Sequence, residues 1–264
     1  MSKLHHTLSE LLAVERQQAP LAVAYSGGLD SSCLLHVAAD LASEQQRPLR
    51  AIHINHGLSA AADQWQDHCR QVCAGLGVEL QCVAAALPSM ASEGQAREAR
   101  YAAFAAQLAA GELLLLAQHL DDQLETLLLR LMRGAGPGGL AGMPLRRSLG
   151  AGHLLRPLLA LPRSELVAFA GSRQLDWIED ESNAAIRFDR NFCRHEVLPR
   201  LERRWPEYRA SWQKSQELLR ESDTLLSDLA SLDLTRVAGD KPGIIKLEPL
   251  QSLSPPRQRN VLRY

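Results

Sequence analysis

Nine consecutive residues, Ala24-Tyr25-Ser26-Gly27-Gly28-Leu29-Asp30-Ser31-Ser32, combine the side-chain types needed to hold a phosphate. Paired glycines let backbone N–H groups converge on an anion. A helix opening after them adds the positive end of its dipole, and Ser26, Ser31 and Ser32 add hydroxyl donors. A Walker A loop would end in Gly-Lys-Ser/Thr, and no lysine is present here; the three-glycine dinucleotide pattern is also missing. Asp30 inside an anion site asks for a cation beside the phosphates, which implies Mg²⁺ with Asp30 as its ligand. A serine-capped, glycine-rich turn is the plainer alternative.

A second group is acidic. Asp121, Asp122 and Glu125 crowd the start of an expected helix, where Asp122 and Glu125 share a face. Clustered carboxylates ask for a cation, either Mg²⁺ or an ammonium group, and one placed beside an amine could take its proton. Acids in a first turn also favour the helix dipole without any ligand. Arg97 and Arg100 share a helical face suited to the phosphates of a nucleotide or an RNA, or simply to solvent. His53 and His56 stand near the carboxyl end of an expected strand, where open α/β sheets bind ligands, unless they are simply hydrogen-bonded into the loop. Between Arg187 and Arg209 seven arginines face four acids, with Phe188, Phe192, Trp205 and Tyr208 interleaved. That surplus marks an RNA surface, unless the arginines pair with their own acids. Cys69 and Cys73 adjoin His68, but no second ligand pair completes a metal site.

These groups need a scaffold. Short apolar runs at Leu21–Tyr25, Leu49–Ile54, Val78–Val83 and Glu112–Gln118 read as strands. Ser32–Ala42, Asp63–Leu76, Gln95–Ala110 and Asp121–Met132 alternate with them as helices, the signature of a parallel sheet covered on both faces. Gly134–Gly139 is expected to be a mobile loop that could close over the site as a lid. Helices follow at Ser164–Arg173, Asp189–Arg204 and Tyr208–Leu232, then a strand-like Ile244–Leu247 and a helix start at Ser254-Pro255-Pro256. The expected division is residues 1–206, a connector over 207–232, and the start of a further domain over 233–264. With 46% hydrophobic residues, 22% charged and a net charge of −1, the chain reads as globular, and any attraction for nucleic acid must be local. Five scattered cysteines and no apolar segment long enough for export or for a bilayer point to a reduced, cytoplasmic protein with no membrane role. The oligomeric state stays open, a homodimer included.

The phosphate loop resembles the SGGxDS motif of the PP-loop ATP pyrophosphatases. Ile52-His53-Ile54-Asn55-His56-Gly57-Leu58-Ser59, Ala117-Gln118-His119-Leu120-Asp121-Asp122-Gln123-Leu124-Glu125-Thr126 and Arg130-Leu131-Met132-Arg133-Gly134 onward to Met143 resemble, in order, the tRNA(Ile)-lysidine synthase family. Arg97–Tyr101, Arg156-Pro157-Leu158-Leu159, Trp177–Asn183 and Asp189–Arg194 continue the likeness, which covers Leu21 to Pro206. The resemblance implies a doubly wound parallel sheet of the adenine-nucleotide alpha hydrolase kind, then a helical subdomain and the start of a second domain. It implies ATP and Mg²⁺ as cofactors. The implied reaction adenylates C2 of the wobble cytidine in tRNA(Ile) with a CAU anticodon, releases pyrophosphate, and lets free L-lysine displace AMP.

Residue by residue, it implies nucleotide contacts from Ser26, Gly27, Gly28, Leu29, Asp30, Ser31, Ser32, His53 and His56. Catalytic roles fall to Asp30, Asp122, Glu125 and Arg100, lysine contacts to Asp122 and Glu125, and tRNA contacts to Arg190, Asn191 and Arg194. One departure stands out: Gln118 occupies a position that is histidine in many family members, so a titrating group there is absent. A tRNA thiolase on the same fold would need paired cysteines, and Cys69 and Cys73 are wrongly spaced for it. A non-catalytic nucleotide-binding protein would need neither the acids nor the arginines.

Overall fold

The computed structural model describes residues 2–15, 19–55, 62–84, 93–180, 185–239, 241 and 243–264. It divides into two compact units, each built from two stretches of chain. One is Met1–Gln123 with Pro144–Phe192; the other is Leu124–Met143 with Cys193–Tyr264. The sequence reading instead divides the chain at 206/207 and 232/233.

The first unit is a six-stranded sheet in the order β3-β2-β1-β4-β6-β5. β1 (Leu21–Ala24), β2 (Leu49–Asn55), β3 (Glu79–Ala84), β4 (Leu113–Leu115) and β6 (Gly152–Leu155) pair in parallel, while the edge strand β5 (Arg146–Leu149) is antiparallel to β6. Strand alternation sends Val23, Leu113 and Leu115 into one core with α1 (Lys3–Val14), α2 (Leu29–Glu44) and α7 (Arg163–Ser172). Ala22, Ile52 and Leu114 enter another core with Phe104 and Leu108 from the region of α4 (Glu93–Gln107). Helices on both faces of a mainly parallel sheet give the expected doubly wound architecture. α3 (Ala62–Gly75) completes this layer between β2 and β3.

Several elements differ from expectation for identifiable reasons. α1 lies outside the expected elements, although Leu4, Leu8 and Leu12 recur every four residues and the Ser2 hydroxyl accepts from the His5 N–H at 3.2 Å. β4 is three residues long rather than seven, although the Leu116 N–H still donates to the Leu155 carbonyl of β6 at 2.9 Å. The β5–β6 hairpin is also absent from the expected elements. Its turn needs Gly150, whose φ is +55° and where an added Cβ would lie 2.3 Å from the Ala105 carbonyl oxygen.

α5 (Leu120–Met132) begins in the first unit and ends in the second. In the second unit the expected mobile loop contains one helical turn, α6 (Pro137–Leu140). Pro137 starts it, and the Arg130 guanidinium donates to the carbonyls of Gly139 and Gly142. The single helix expected over Asp189–Arg204 is three pieces: α8 (Asp189–Phe192), a π-helical turn at Cys193–Val197, and α9 (Leu198–Arg204). Pro199 has no N–H to continue the α-helical ladder across this point. α10 runs from Tyr208 to Val237. Only Ile245 of the strand-like stretch pairs, bridging Ala238, because α11 (Leu247–Ser252) takes Leu247 as its first residue. α12 (Pro255–Arg263) begins after Ser254 as expected.

At the foot of β4, Glu112 is buried and both its oxygens take Arg50 N–H groups at 2.7 Å, while the Ala109 N–H donates to one of them at 2.9 Å. Burial pushes the Glu112 carboxyl up, but these three donors outweigh it and hold the group below the usual carboxylate range. Its contribution to stability is therefore complete above the unfolded-state pKa of about 4.3 and is lost as pH falls through the lower folded value. Glu112→Ala should destabilise the protein by about 3 kcal/mol in urea unfolding at pH 7. The gap to the unsubstituted chain should narrow below pH 4. An unchanged urea midpoint at pH 7 would rule out this pair as a support of the sheet.

Candidate active site

β1 and β4 are neighbours, and from this pair the strand order runs outward in opposite directions, to β2 and β3 on one side and to β6 on the other, the point at which open α/β sheets form a crevice. After β1 the chain makes the phosphate loop. Gly28 is the N-cap of α2, with its carbonyl accepting from the Ser32 N–H at 2.9 Å, and the first-turn amides of α2 have no carbonyl one turn back. Gly27 has φ +84°, and a Cβ there would meet the Ile178 side chain at 2.5 Å and the Cys69 sulfur at 3.0 Å. The Ile178 N–H also donates to the Gly27 carbonyl at 2.9 Å, so the segment through Trp177-Ile178 backs the loop. The Ser31 hydroxyl donates to the Gly28 carbonyl at 3.0 Å and lies 3.1 Å from the Ser26 hydroxyl; the Ser32 hydroxyl donates to the Gly27 carbonyl at 3.4 Å. In this arrangement the serines shape the loop's backbone, and Leu29 is buried beneath it.

Across the crevice stands His119, 1% exposed. Its Nε2 is 3.6 Å from Asp30 Oδ2 and from Asp122 Oδ2, and its Nδ1 is 3.7 Å from Asp121 Oδ2. Burial alone would lower the His119 pKa. The facing carboxylates of Asp30, Asp122 and Asp121 outweigh that and raise it above the ordinary imidazole value. Asp30 Oδ1 is buried without a hydrogen-bond partner, with Arg163 Nε 3.6 Å away. Asp121 accepts the Arg163 backbone N–H at 2.8 Å and so caps α7, while Asp122 accepts the His119 N–H at 3.0 Å and caps α5. The acids thus serve the helix termini and converge on one imidazole as well.

Sequence reasoning assigns His119 and Arg163 no role. The signals lay in a histidine between a strand end and two aspartates, and in an arginine at a helix start after Pro162. Gln118, the departure from the family pattern, accepts from the Arg156 guanidinium.

His53 sits below the loop with Nδ1 2.9 Å from the Tyr25 carbonyl, so that nitrogen carries the hydrogen. Burial lowers its pKa, against the opposing pull of the Tyr25 carbonyl. His56 lies outside the described residues. Arg100 is exposed on α4. In the second unit Glu125 is fully buried and paired with Arg194, with Nε–Oε1 at 2.6 Å and Nη2–Oε2 at 3.2 Å. In the first unit, Asn191 is buried and its amide donates to the Ala185 carbonyl at 3.1 Å, while Arg190 is half-buried. Of the arginine-rich stretch, Arg200 pairs with Glu196 and Arg209 with Glu202. Arg203 and Arg204 are exposed beside Trp205, and in the first unit Arg187 lies over the ring of exposed Phe188.

Among the described residues, no three His, Cys, Asp or Glu side chains are arranged to hold a metal by themselves. Mg²⁺ needs less, since it commonly takes one or two carboxylates and completes its shell with phosphate oxygens and water. Asp30 Oδ1 in the phosphate loop, which among the described residues receives no hydrogen bond and meets only the Arg163 guanidinium at 3.6 Å, fits that kind of site.

A model of the PP-loop domain family matches residues 1–201, and the chain belongs to that family. It is 48% identical to a tRNA(Ile)-lysidine synthase of Pseudomonas aeruginosa over 98% of this chain and 61% of that protein. It is 46% identical to one of Coxiella burnetii over 91% of this chain and 54% of that protein. The chain spans about three fifths of the length of the curated relatives it matches. The fold is shared with the solved U34-tRNA thiolase NcsA from Methanococcus maripaludis, which contains a [4Fe-4S] cluster: TM-score 0.67, 17% identity, 83% of this chain and 78% of that one. Among the described residues no helix is long and apolar enough to cross a membrane.

All five cysteines are free thiols. Burial pushes Cys69 and Cys33 up to about 12 and Cys73 up to about 11, so each is protonated at neutral pH. At pH 8 a thiol reagent should leave these three untouched in the native chain and modify them once it is unfolded. Rapid native labelling of Cys69 or Cys73, followed by peptide mapping, would contradict this packing and reopen sulfur chemistry at the site.

Proposed function

We propose that this chain is the catalytic part of an ATP-dependent ligase that joins L-lysine to C2 of the wobble cytidine of tRNA(Ile) bearing a CAU anticodon. The observation that carries the reading is the convergence of Asp30, from the phosphate loop, with His119, Asp121 and Asp122 across the crevice. A phosphate cradle alone would serve many nucleotide-binding proteins; acids gathered opposite it suit a reaction that also brings in an amine. The names of the similar proteins support tRNA(Ile) as the acceptor, and L-lysine as the nucleophile is part of the proposal.

In this reading, ATP is split between its α- and β-phosphates. The cytidine O2 attacks the α-phosphorus, AMP becomes attached to the base, and pyrophosphate remains in the cradle of Ser26–Ser32. Mg²⁺ held at Asp30 would screen the triphosphate charge. Arg163, beside the same carboxylate, adds fixed positive charge without needing a proton. Arg100 is assigned to phosphate neutralisation. The ε-amino nitrogen of lysine then attacks C2, the C2–O bond breaks, and AMP leaves. Asp122 and Glu125 are the proposed contacts for lysine ammonium groups, and a carboxylate there can accept the proton that the attacking amine loses.

Glu125 carries the Arg194 guanidinium, so its use for lysine requires that ion pair to rearrange. Arg190, Asn191 and Arg194 are retained as proposed tRNA contacts. Arg187–Phe188 in the first unit and, separately, Arg204–Trp205 in the second are exposed pairs that each offer a stacking surface for RNA. The buried, protonated thiols speak against the thiolase reading.

Two measurements test this. Pyrophosphate release should require tRNA(Ile), and lysine incorporation should follow it; Asp30→Ala should lower release by about two orders of magnitude or more. Retention of full release by that variant would remove Asp30 from the chemistry. Asp122→Ala should raise the apparent KM for lysine about 10-fold or more, the effect of losing one charge-assisted contact. An unchanged KM with reduced thermal stability would leave Asp122 as a helix cap only.

A further inference from the structure

The first unit holds a second concentration of charge, formed by guanidinium groups rather than carboxylates. Arg156 is 2% exposed, and every acceptor it reaches is a neutral oxygen: Gln118 Oε1 from Nε, the Pro144 carbonyl from Nη1 at 2.7 Å, and the Tyr101 hydroxyl from Nη2 at 3.1 Å. Arg97 Nη2 reaches the same hydroxyl at 3.5 Å. The Arg97 and Arg147 guanidinium carbons lie 5.2 Å and 4.6 Å from the centre of the Tyr101 ring. Among the described residues none of these three arginines is paired with a carboxylate. A buried guanidinium without a counter-ion is costly, and two more beside it add to the repulsion.

The Tyr101 oxygen accepts from two cations, so its own hydrogen points to a third partner, and no acceptor for it lies among the described residues. Burial raises the Tyr101 pKa, but Arg156, Arg97 and Arg147 together bring it below the ordinary phenol value, as expected where positive potential is uncompensated. Donors without acceptors define an anion site.

We propose that Arg97, Arg147 and the Tyr101 hydroxyl, backed by buried Arg156, form a phosphate subsite separate from the phosphate loop, occupied by a backbone phosphodiester of the RNA acceptor. The occupant rests on the RNA reading above; the subsite itself does not. Tyr101 packs on the sheet face opposite α2, and Arg147 is exposed on the edge strand β5. A polyanion crossing that edge reaches Arg147 and Arg97 together, and two guanidinium forks match the paired oxygens of a phosphodiester. The nucleotide triphosphate has its own cradle after β1. Gln118 offers Arg156 a neutral acceptor, so the guanidinium is hydrogen-bonded but its charge is not cancelled beneath the subsite.

The edge strand supplies a control. Arg146 precedes Arg147, points to the other side of β5, and pairs with Glu15 at 3.5 Å. The affinity of an RNA hairpin carrying the CAU anticodon loop is measured against salt for the full chain, Arg147→Ala and Arg146→Ala, with calorimetric ATP affinity as a parallel arm. Arg147→Ala should weaken RNA binding several-fold and reduce the salt slope by about one, while Arg146→Ala leaves the slope in place. Equal effects from both variants would overturn the subsite. A loss confined to ATP would assign the phosphate to the nucleotide and overturn the RNA occupant.

If the unsubstituted chain binds no RNA, the acceptor reading fails separately, and inorganic phosphate becomes the probe. Phosphate should then raise the Tyr101 phenol titration, read as the ultraviolet difference between the full chain and Tyr101→Phe. No response would end the proposal.

Discussion

In the parallel pairing of β1 with β4, Leu21 lies opposite Leu113 and Val23 opposite Leu115. The register leaves the two strands ending at nearly the same level. One chain then turns into Ser26–Asp30 and the other into His119–Asp122, so the two turns face each other across the ends of adjacent strands. The cradle is shaped by its own serines and backed by Ile178, but its place opposite His119 comes from this pairing. Short strands suffice because Leu21, Val23, Leu113, Leu114 and Leu115 are buried and hold the register by packing on both faces.

Charge in the first unit is distributed in two poles around this crevice. Three carboxylates gather on one imidazole, and three guanidinium groups gather on one phenol. Gln118 and His119 are consecutive, and one belongs to each pole: Gln118 takes a hydrogen bond from Arg156, and His119 faces Asp30. An imidazole in place of Gln118 would put a titrating group between the poles. The amide keeps them independent of pH at that position, while His119 remains sensitive to the carboxylates around it.

Much of this was legible in the sequence, and the rest was hidden for physical reasons. The phosphate loop is local, since its glycines and serines act within a few residues, and the alternation of apolar runs with helical spacing disclosed the sheet. Arg163 could not be read, because it meets Asp30 only after α7 has packed against α2. Asp122 and Glu125 share a helical face in sequence, yet one caps α5 and the other is paired with Arg194 from 69 residues further on. Local spacing predicts neighbours along an element; it is silent about partners that the fold delivers. The break around Cys193–Val197 was readable in principle, from Pro199 inside an otherwise continuous helical pattern.

The second unit is assembled from Leu124–Met143 and Cys193–Tyr264, and this order has a consequence for biosynthesis. Arg220 donates to the Ala141 carbonyl at 3.0 Å across a separation of 79 residues, and Gly138 is shaped for the approach of Asp223. On a ribosome, the α6 turn leaves the exit tunnel well before α10 exists to receive it. The whole of Pro144–Phe192 must be made in between. Such non-local closure is slow relative to the folding of a local helical hairpin. During that interval the α6 turn has no α10 to pack against, so this part of the nascent chain stays open to chaperones until α10 is made.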